Sequence, residues 1–297
     1  MIRILSDLHW GHKASLIKDL ESLEGLLSEP DEVIFNGDTI EQKFENSPSH
    51  LKTPLPSIGQ FENRIKSWKT KAHFITGNHD PNISRHHYCE LNHGEILITH
   101  GDGIFKDVAP WSQNAQLLGE VAEQGLNHLQ RNGNVSFYDF LQTIKDACIE
   151  ENSRLKDYDP SVWGKLQIFL RQAWPPTRVL KILDCWKATP QMAVNMAHRS
   201  GLNPKFLIIG HTHKPAIKAI EQSTVINTGS FLPWPGATAV DLTANRVYVR
   251  KVIRRNGSFT IGKTIQQFDL DIELDSLRFP APEPKFFSQA SPRELTV

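Results

Sequence analysis

Eight residues that stand just behind short apolar runs carry side chains suited to binding divalent cations: Asp7, His9, Asp38, Asn78, His79, His100, His211 and His213. They are carboxylates, imidazoles and one amide, with no thiolate among them. Imidazole-rich sets of this kind suit Mn, Fe, Co or Zn, whereas Mg and Ca prefer shells made of oxygen alone. A metal held by such a set can acidify a bound water and so supply a nucleophile near neutral pH. Taken singly the signals are ordinary: an Asp-x-His arises by chance, and Gly-Asn-His-Asp can simply be a turn. His211 and His213 are more specific, because positions i and i+2 of an extended backbone point the same way. All the clusters together in one chain point to a single shared metal site.

The elements that must position these residues repeat five times: ILSDLH at 4–9, VIFNGD at 33–38, FITGNHD at 74–80, ILITHGD at 96–102 and LIIGHTH at 207–213. Each is an apolar strand-like run that ends in a polar cluster. In α/β sheets ligands bind beyond the carboxyl ends of strands, so the five clusters are expected to converge. Between them, Leu16, Leu20, Leu23 and Leu27 fall on one helical face, and Ile58, Phe61, Ile65 and Trp68 on another. From 110 to 201 the period is purely helical, with helices over 111–129, 137–148 and 162–170, and a fourth opening at Thr189-Pro190 and stopping at Ser200-Gly201. Strands resume at 206–209, 224–226, 237–241 and 246–252. The expected organisation is an α/β domain of residues 1–109 and 202–266, an all-helical insertion over 110–201, and a Pro-rich, poorly ordered tail over 267–297.

In chain order, Asp7-Leu8-His9, Gly37-Asp38, Gly77-Asn78-His79-Asp80, His100-Gly101 and Gly210-His211-Thr212-His213 resemble the D-x-H, G-D, G-N-H-[DE], H-G and G-H-x-H pattern of the calcineurin-like metallophosphoesterase superfamily. The resemblance covers about residues 1–102 and 205–230. It implies a four-layer αββα sandwich with the helical insertion as a cap, and two divalent ions at one edge, Mn first and Fe, Zn or Co as alternatives. By the same resemblance Asp7, His9 and His213 hold one metal, Asn78, His100 and His211 the other, and Asp38 bridges them. His79 is then the catalytic acid facing the leaving group, its tautomer fixed by Asp80 or a backbone carbonyl. Asn78, Arg85 and His12 are the expected substrate contacts. Asn227-Thr228-Gly229-Ser230 follows a strand and shapes a turn near the metals.

The frame His100-Gly101-Asp102, a helical insert, then Gly210 to Pro215 is similar to that of the UDP-2,3-diacylglucosamine pyrophosphatases of lipid A synthesis. In that case Trp111, Phe137, Phe140, Trp163, Phe169 and Trp174 would offer a slot for acyl chains; otherwise they are the insert's own core. Those enzymes usually carry Gly-Asn-Arg-Asp, and this chain has His79. Two other readings are a non-catalytic protein-binding scaffold, which typically lacks the catalytic His, and a nuclease. Lys+Arg 33 against Asp+Glu 33 gives zero formal charge, which counts against a nucleic-acid partner. The expected partner is a small phosphorylated molecule, lipid-linked or nucleotide-linked, with at most peripheral membrane contact. No run approaches the roughly 18 apolar residues needed to span a bilayer, and the N-terminus does not read as a signal peptide, so a cytoplasmic location is expected. Cys89, Cys148 and Cys185 form no CxxC and read as buried hydrophobes.

Overall fold

The computed structural model describes residues 1–42, 57–112, 114–132, 135–154, 176–271 and 273–280. The expected loop over 46–57 falls almost wholly outside the described residues. So do the helix over 162–170, Trp163, Phe169 and Trp174, and the tail beyond 280. Two compact units are present, one of residues 1–41, 56–101 and 202–281, the other built on 102–201.

The first unit is a mixed α/β sandwich of two sheets. Strands β1 (Ile2–Leu5), β2 (Glu32–Asn36), β3 (Lys71–Ile75), β9 (Thr238–Thr243), β10 (Arg246–Arg255) and β11 (Ser258–Asp269) form the larger, in the order β11-β10-β9-β1-β2-β3. Strands β4 (Tyr88–Leu91), β5 (Ile96–Thr99), β6 (Phe206–Ile209), β7 (Ala216–Ile220) and β8 (Ser223–Asn227) form the smaller, in the order β4-β5-β6-β8-β7. Because side chains alternate along a strand, Ile2 and Ile4 face the smaller sheet and pack with Ile96, Ile98, Phe206 and Ile208. Leu5, Val33 and Phe35 point to the other face, beneath Phe61 and Ile65 of helix α2 (Ile58–Ser67) and Leu26 and Leu27 of the single-turn α1 (Glu24–Leu27). Central strands covered on both faces have to be apolar throughout, which is why these runs lack alternation in sequence. Arg3 is the exception: fully buried, it is held by both oxygens of the equally buried Asp241 at 2.6 and 2.8 Å and by the Leu26 carbonyl at 2.6 Å. β1, β2 and β3 run parallel, as do β5, β6 and β8. Within each sheet the five polar clusters therefore leave from the carboxyl ends of parallel strands.

In the second unit, α3 (Ala115–Asn132), α4 (Phe137–Arg154) and α5 (Pro176–Arg199) are the described helices. Ser136 caps α4, its hydroxyl accepting from Asp139 N at 3.0 Å while the Asp139 carboxylate takes Ser136 N at 3.3 Å. Phe137, Phe140, Leu141, Ile144 and Cys148 are buried on the same face, and Phe140 and Ile144 also line a cavity with Leu126 of α3 and Met192 and Met196 of α5. Lys145 is also buried, paired with Asp102. No helix among the described residues is long and apolar enough to cross a membrane.

Three expectations need correction. The leucines from Leu16 to Leu27 do not share one helix: Leu16 N is taken by the Phe231 carbonyl and Asp19 caps Ser22 N, so only a 3-10 turn (Glu21–Leu23) and α1 form. Thr189-Pro190 does not open a helix, because α5 runs through Pro190 and the Thr189 hydroxyl donates back to the Cys185 carbonyl at 2.7 Å. The tail is packed as far as 280: β11 continues to Asp269, Leu270, Leu274, Leu277 and Phe279 lie against the inter-sheet core, and Glu90 and Arg278 pair their backbones.

Candidate metal centre

The strand ends of the first unit bring the predicted donors together. Asp7, His9, Asp38 and His213 each offer an atom within 4.8 Å of the others. His9 Nε2 lies 3.1 Å from His213 Nε2, which is 3.2 Å from Asp7 Oδ1. A second group gathers on Asn78 Oδ1, 2.9 Å from His211 Nδ1 and 3.2 Å from His100 Nε2. Asp38 Oδ2 stands between the groups, 3.7 Å from His9 Nε2 and 3.4 Å from His100 Nε2. Seven predicted ligands are thus in one place, and all but the partly exposed His213 are buried.

The arrangement suits cations. Donors bound to one ion at about 2.0–2.2 Å stand roughly 3.0–3.5 Å from each other, close to the 2.9–3.7 Å seen here. His100 Nδ1 donates to the Asn36 carbonyl at 2.9 Å, so in the neutral ring Nε2 presents a lone pair, facing the oxygen lone pairs of Asn78 and Asp38. A cation satisfies such converging lone pairs. Burial works against ionising Asp38, but the imidazoles of His100, His79 and His9 outweigh it and hold its pKa well below the usual carboxylate range. Asp7 is lowered in the same way, against burial, by His213 and His100.

Local backbone geometry follows from crowding. Asp7, His9, Asp38, His211 and His213 all adopt left-handed φ, between 48° and 65°. Asp7 accepts the His211 N–H on both oxygens at 3.1 and 3.2 Å and takes a hydrogen bond from Ser6. Carboxylates packed this tightly leave no room for side chains on the neighbouring turns: a Cβ at Gly77 would overlap Asp38, and one at Gly210 would overlap Asp7 and Ser6. Asn227 Nδ2 donates to the Gly210 carbonyl at 2.7 Å and to Thr212 at 2.9 Å, tying the turn after β8 to the His211 loop.

His79 sits at the partly exposed margin, its ring 4.7 Å from that of His9. The Asp80 oxygens, expected to fix its tautomer, are turned to backbone N–H groups instead. His79 Nδ1 lies 3.0 and 3.1 Å from the two oxygens of Glu41, a buried carboxylate not singled out in the sequence. Burial opposes the charge on Glu41, yet His79 and His9 keep its pKa well below the usual range. Asp80 turns inward and accepts N–H groups from Gly77, Asp38, Thr39 and Ile40 at 2.6–3.2 Å, stitching the β2 and β3 loops together. Burial and the nearby Asp38 charge push its pKa up to about 6, and the backbone N–H groups pull it back. His12 stands beside His9, ring centroids 6.1 Å apart, with a pKa brought down to about 4, chiefly by burial. Arg85 is exposed on the β3–β4 loop, five residues past Asp80 in sequence.

Among solved structures the chain is similar to Vps29 from Cryptosporidium parvum, at 15% identity and TM-score 0.37 over 90% of this chain and 97% of that one. Vps29 from Chaetomium thermophilum aligns at 10% identity and TM-score 0.41 over 91% and 98%. A predicted phosphoesterase from Streptococcus pneumoniae aligns at 13% and 0.36 over 90% and 97%. No curated protein matches the sequence significantly. The family model for calcineurin-like phosphoesterases matches residues 1–215. That span takes in every predicted ligand from Asp7 to His213, and on this match the chain belongs to the calcineurin-like phosphoesterase family.

Proposed function

We propose that the chain hydrolyses a phosphate ester or anhydride of a small phosphorylated molecule, using two divalent cations. The observation that carries this reading is the place of Asp38 Oδ2 between two donor groups, within 3.7 Å of a nitrogen in each. Asp7, His9 and His213 would hold one ion, Asn78, His100 and His211 the other, with Asp38 shared. Bound there, the ions would acidify water and neutralise developing charge on the phosphoryl oxygens. The donor chemistry suits Mn, with Fe, Zn and Co as alternatives.

The chain's own groups supply the rest. Glu41 accepts the Nδ1 proton of His79 and its charge favours the imidazolium, leaving Nε2–H to be given to the departing oxygen. With Oδ1 of Asn78 committed to the donor group, only its NH2 remains for a substrate phosphate. His12 at the rim stays neutral near pH 7. A complete donor set and a buried carboxylate aimed at His79 support an enzyme over a scaffold, and zero net charge argues against a nuclease.

Purified protein should be stripped with a chelator and reloaded with Mn, Fe, Co or Zn. It would then be assayed on p-nitrophenyl phosphate, bis-p-nitrophenyl phosphate, UDP-sugars including UDP-2,3-diacylglucosamine, and DNA. Turnover that appears only on reloading supports the reading; no turnover of any small ester with any metal sinks it. Preference for the UDP-lipid would assign the finer activity.

A further inference from the structure

The two oxygens of Asp7 face different ways. Oδ1 looks toward the donor group, 3.2 Å from His213 Nε2, whereas Oδ2 takes the hydroxyl of its chain neighbour Ser6. A seryl hydroxyl has one proton, and an ionised carboxylate can only accept, so that proton goes to Asp7. Ser6 Oγ also lies 2.5 Å from Thr228 Oγ1, in the Asn227-Thr228-Gly229-Ser230 turn after β8. With the Ser6 proton committed, this second bond has to use the proton of Thr228. The order is therefore fixed: Thr228 donates to Ser6, and Ser6 donates to Asp7. The competing acceptors are farther away, the Ile209 carbonyl 3.2 Å from Thr228 Oγ1 and the Gly229 carbonyl 3.4 Å from Ser6 Oγ. Ser6, Asp7 and Thr228 are all buried. The backbone of Thr228 is anchored as well: its N–H donates to the Ile209 carbonyl of β6 at 2.9 Å, and its carbonyl accepts from Thr238 N of β9 at 2.7 Å. Its hydroxyl thus reaches the end of β1 from a point fixed to both sheets.

We propose that Ser6 and Thr228 are positioning residues for the metal centre: their hydroxyls, acting in series, hold Asp7 as a one-oxygen ligand and set the affinity of the ion it shares with His9 and His213. The assignment rests on the two-cation reading above. Groups that hydrogen-bond a metal ligand without touching the metal change affinity about 10- to 100-fold when they are removed. The effect should stay on one ion. His100, a ligand of the other, is oriented from elsewhere, by the Asn36 carbonyl at 2.9 Å, and the shared Asp38 by the His79 N–H at 2.8 Å.

Equilibrium dialysis of metal-stripped protein against Mn²⁺ tests this without turnover. The wild type should bind two ions. In S6A one of them should weaken about 10- to 100-fold while the other changes by at most about twofold. H213A already lacks a ligand of the first ion, so adding S6A to it should leave the remaining ion's affinity unchanged. T228V keeps the shape of threonine and leaves the Ile209 carbonyl its N–H, so only the hydroxyl is lost. The same ion should then weaken about threefold, T228S should restore it, and T228V should add nothing in the S6A background. Two ions bound by S6A as tightly as by the wild type overturn the assignment, as does equal weakening of both or a T228V loss that persists in S6A. If S6A does not fold, T228V and T228S decide the matter alone, and equal Mn²⁺ binding by those two overturns it. A wild type that binds no divalent ion sinks the two-cation reading and this assignment with it, whereas a two-ion wild type matched by its variants sinks the assignment only.

Discussion

Replacing Glu41 with Gln keeps the side chain's size and removes its charge from a buried position 3.0 Å from His79 Nδ1. A hydrogen bond to a charged group contributes about 1.5–3 kcal/mol, against about 1 for a neutral pair. The imidazolium of His79 should therefore lose about 1–2 kcal/mol of support, or roughly 5- to 30-fold in kcat where protonation of the leaving group limits the rate. The assay pairs two esters of the same phosphoryl group, one with an alkoxide leaving group and one with p-nitrophenolate, on metal-reconstituted protein. The loss should be confined to the alkyl ester, with a change of at most about twofold on the p-nitrophenyl ester, which needs little proton donation. Metal content by elemental analysis should match the wild type. An equal loss on both esters would refute proton donation through the His79–Glu41 pair. Loss of metal would instead make Glu41 a ligand, an outcome the closeness of His9, Glu41 and His79 makes worth measuring.

Asp38→Asn leaves an amide where a shared carboxylate is needed, at a residue type that tolerates the left-handed backbone. Metal occupancy and turnover should both collapse, and full activity would exclude the bridging role. His79→Asn should keep its metal and lose about 10²–10⁴-fold in kcat on esters with poor leaving groups; an unchanged rate there would remove the general acid. In the helical unit, Lys145→Ala leaves the buried Asp102 carboxylate without its cation and should destabilise by about 3–5 kcal/mol in denaturant titrations. Lys145→Met with Asp102→Asn should recover much of that loss, and a Lys145→Ala chain as stable as the wild type would show the pair to be inert.

The donors were legible because each follows an apolar run, and parallel strands buried on both faces have to be written as such runs. Glu41 was not, since its role arises only when the loop after β2 folds over that after β3. The one available signal was an acid three residues past Asp38, in a turn already aimed at the site. Asp80 misled for a related reason: adjacent residues in a turn diverge, and its oxygens were claimed by four backbone N–H groups. The leucines from Leu16 to Leu27 had helical spacing, but hydrogen bonds to the Phe231 carbonyl and the Asp19 carboxylate decided the backbone first. Past Asp269, prolines hid a strap whose apolar residues, Leu270, Leu274, Leu277 and Phe279, are spaced too irregularly to register as a strand or helix.

The left-handed backbone at Asp7, His9, Asp38, His211 and His213 has a consequence for how this chain can change. Glycine is the residue that adopts that conformation freely, and aspartate and histidine enter it more readily than most side chains but at some cost. At these five positions glycine would relax the backbone and at the same time remove a donor. At Asp7 it would leave the His211 N–H without its acceptor, and at Asp38 the His79 N–H, so the hydrogen bonds of the two carboxylates offset the relief of backbone strain. The histidines have no such backbone bond among those described above, so a chain selected for endurance alone has more to gain from losing an imidazole than a carboxylate at this edge of the fold.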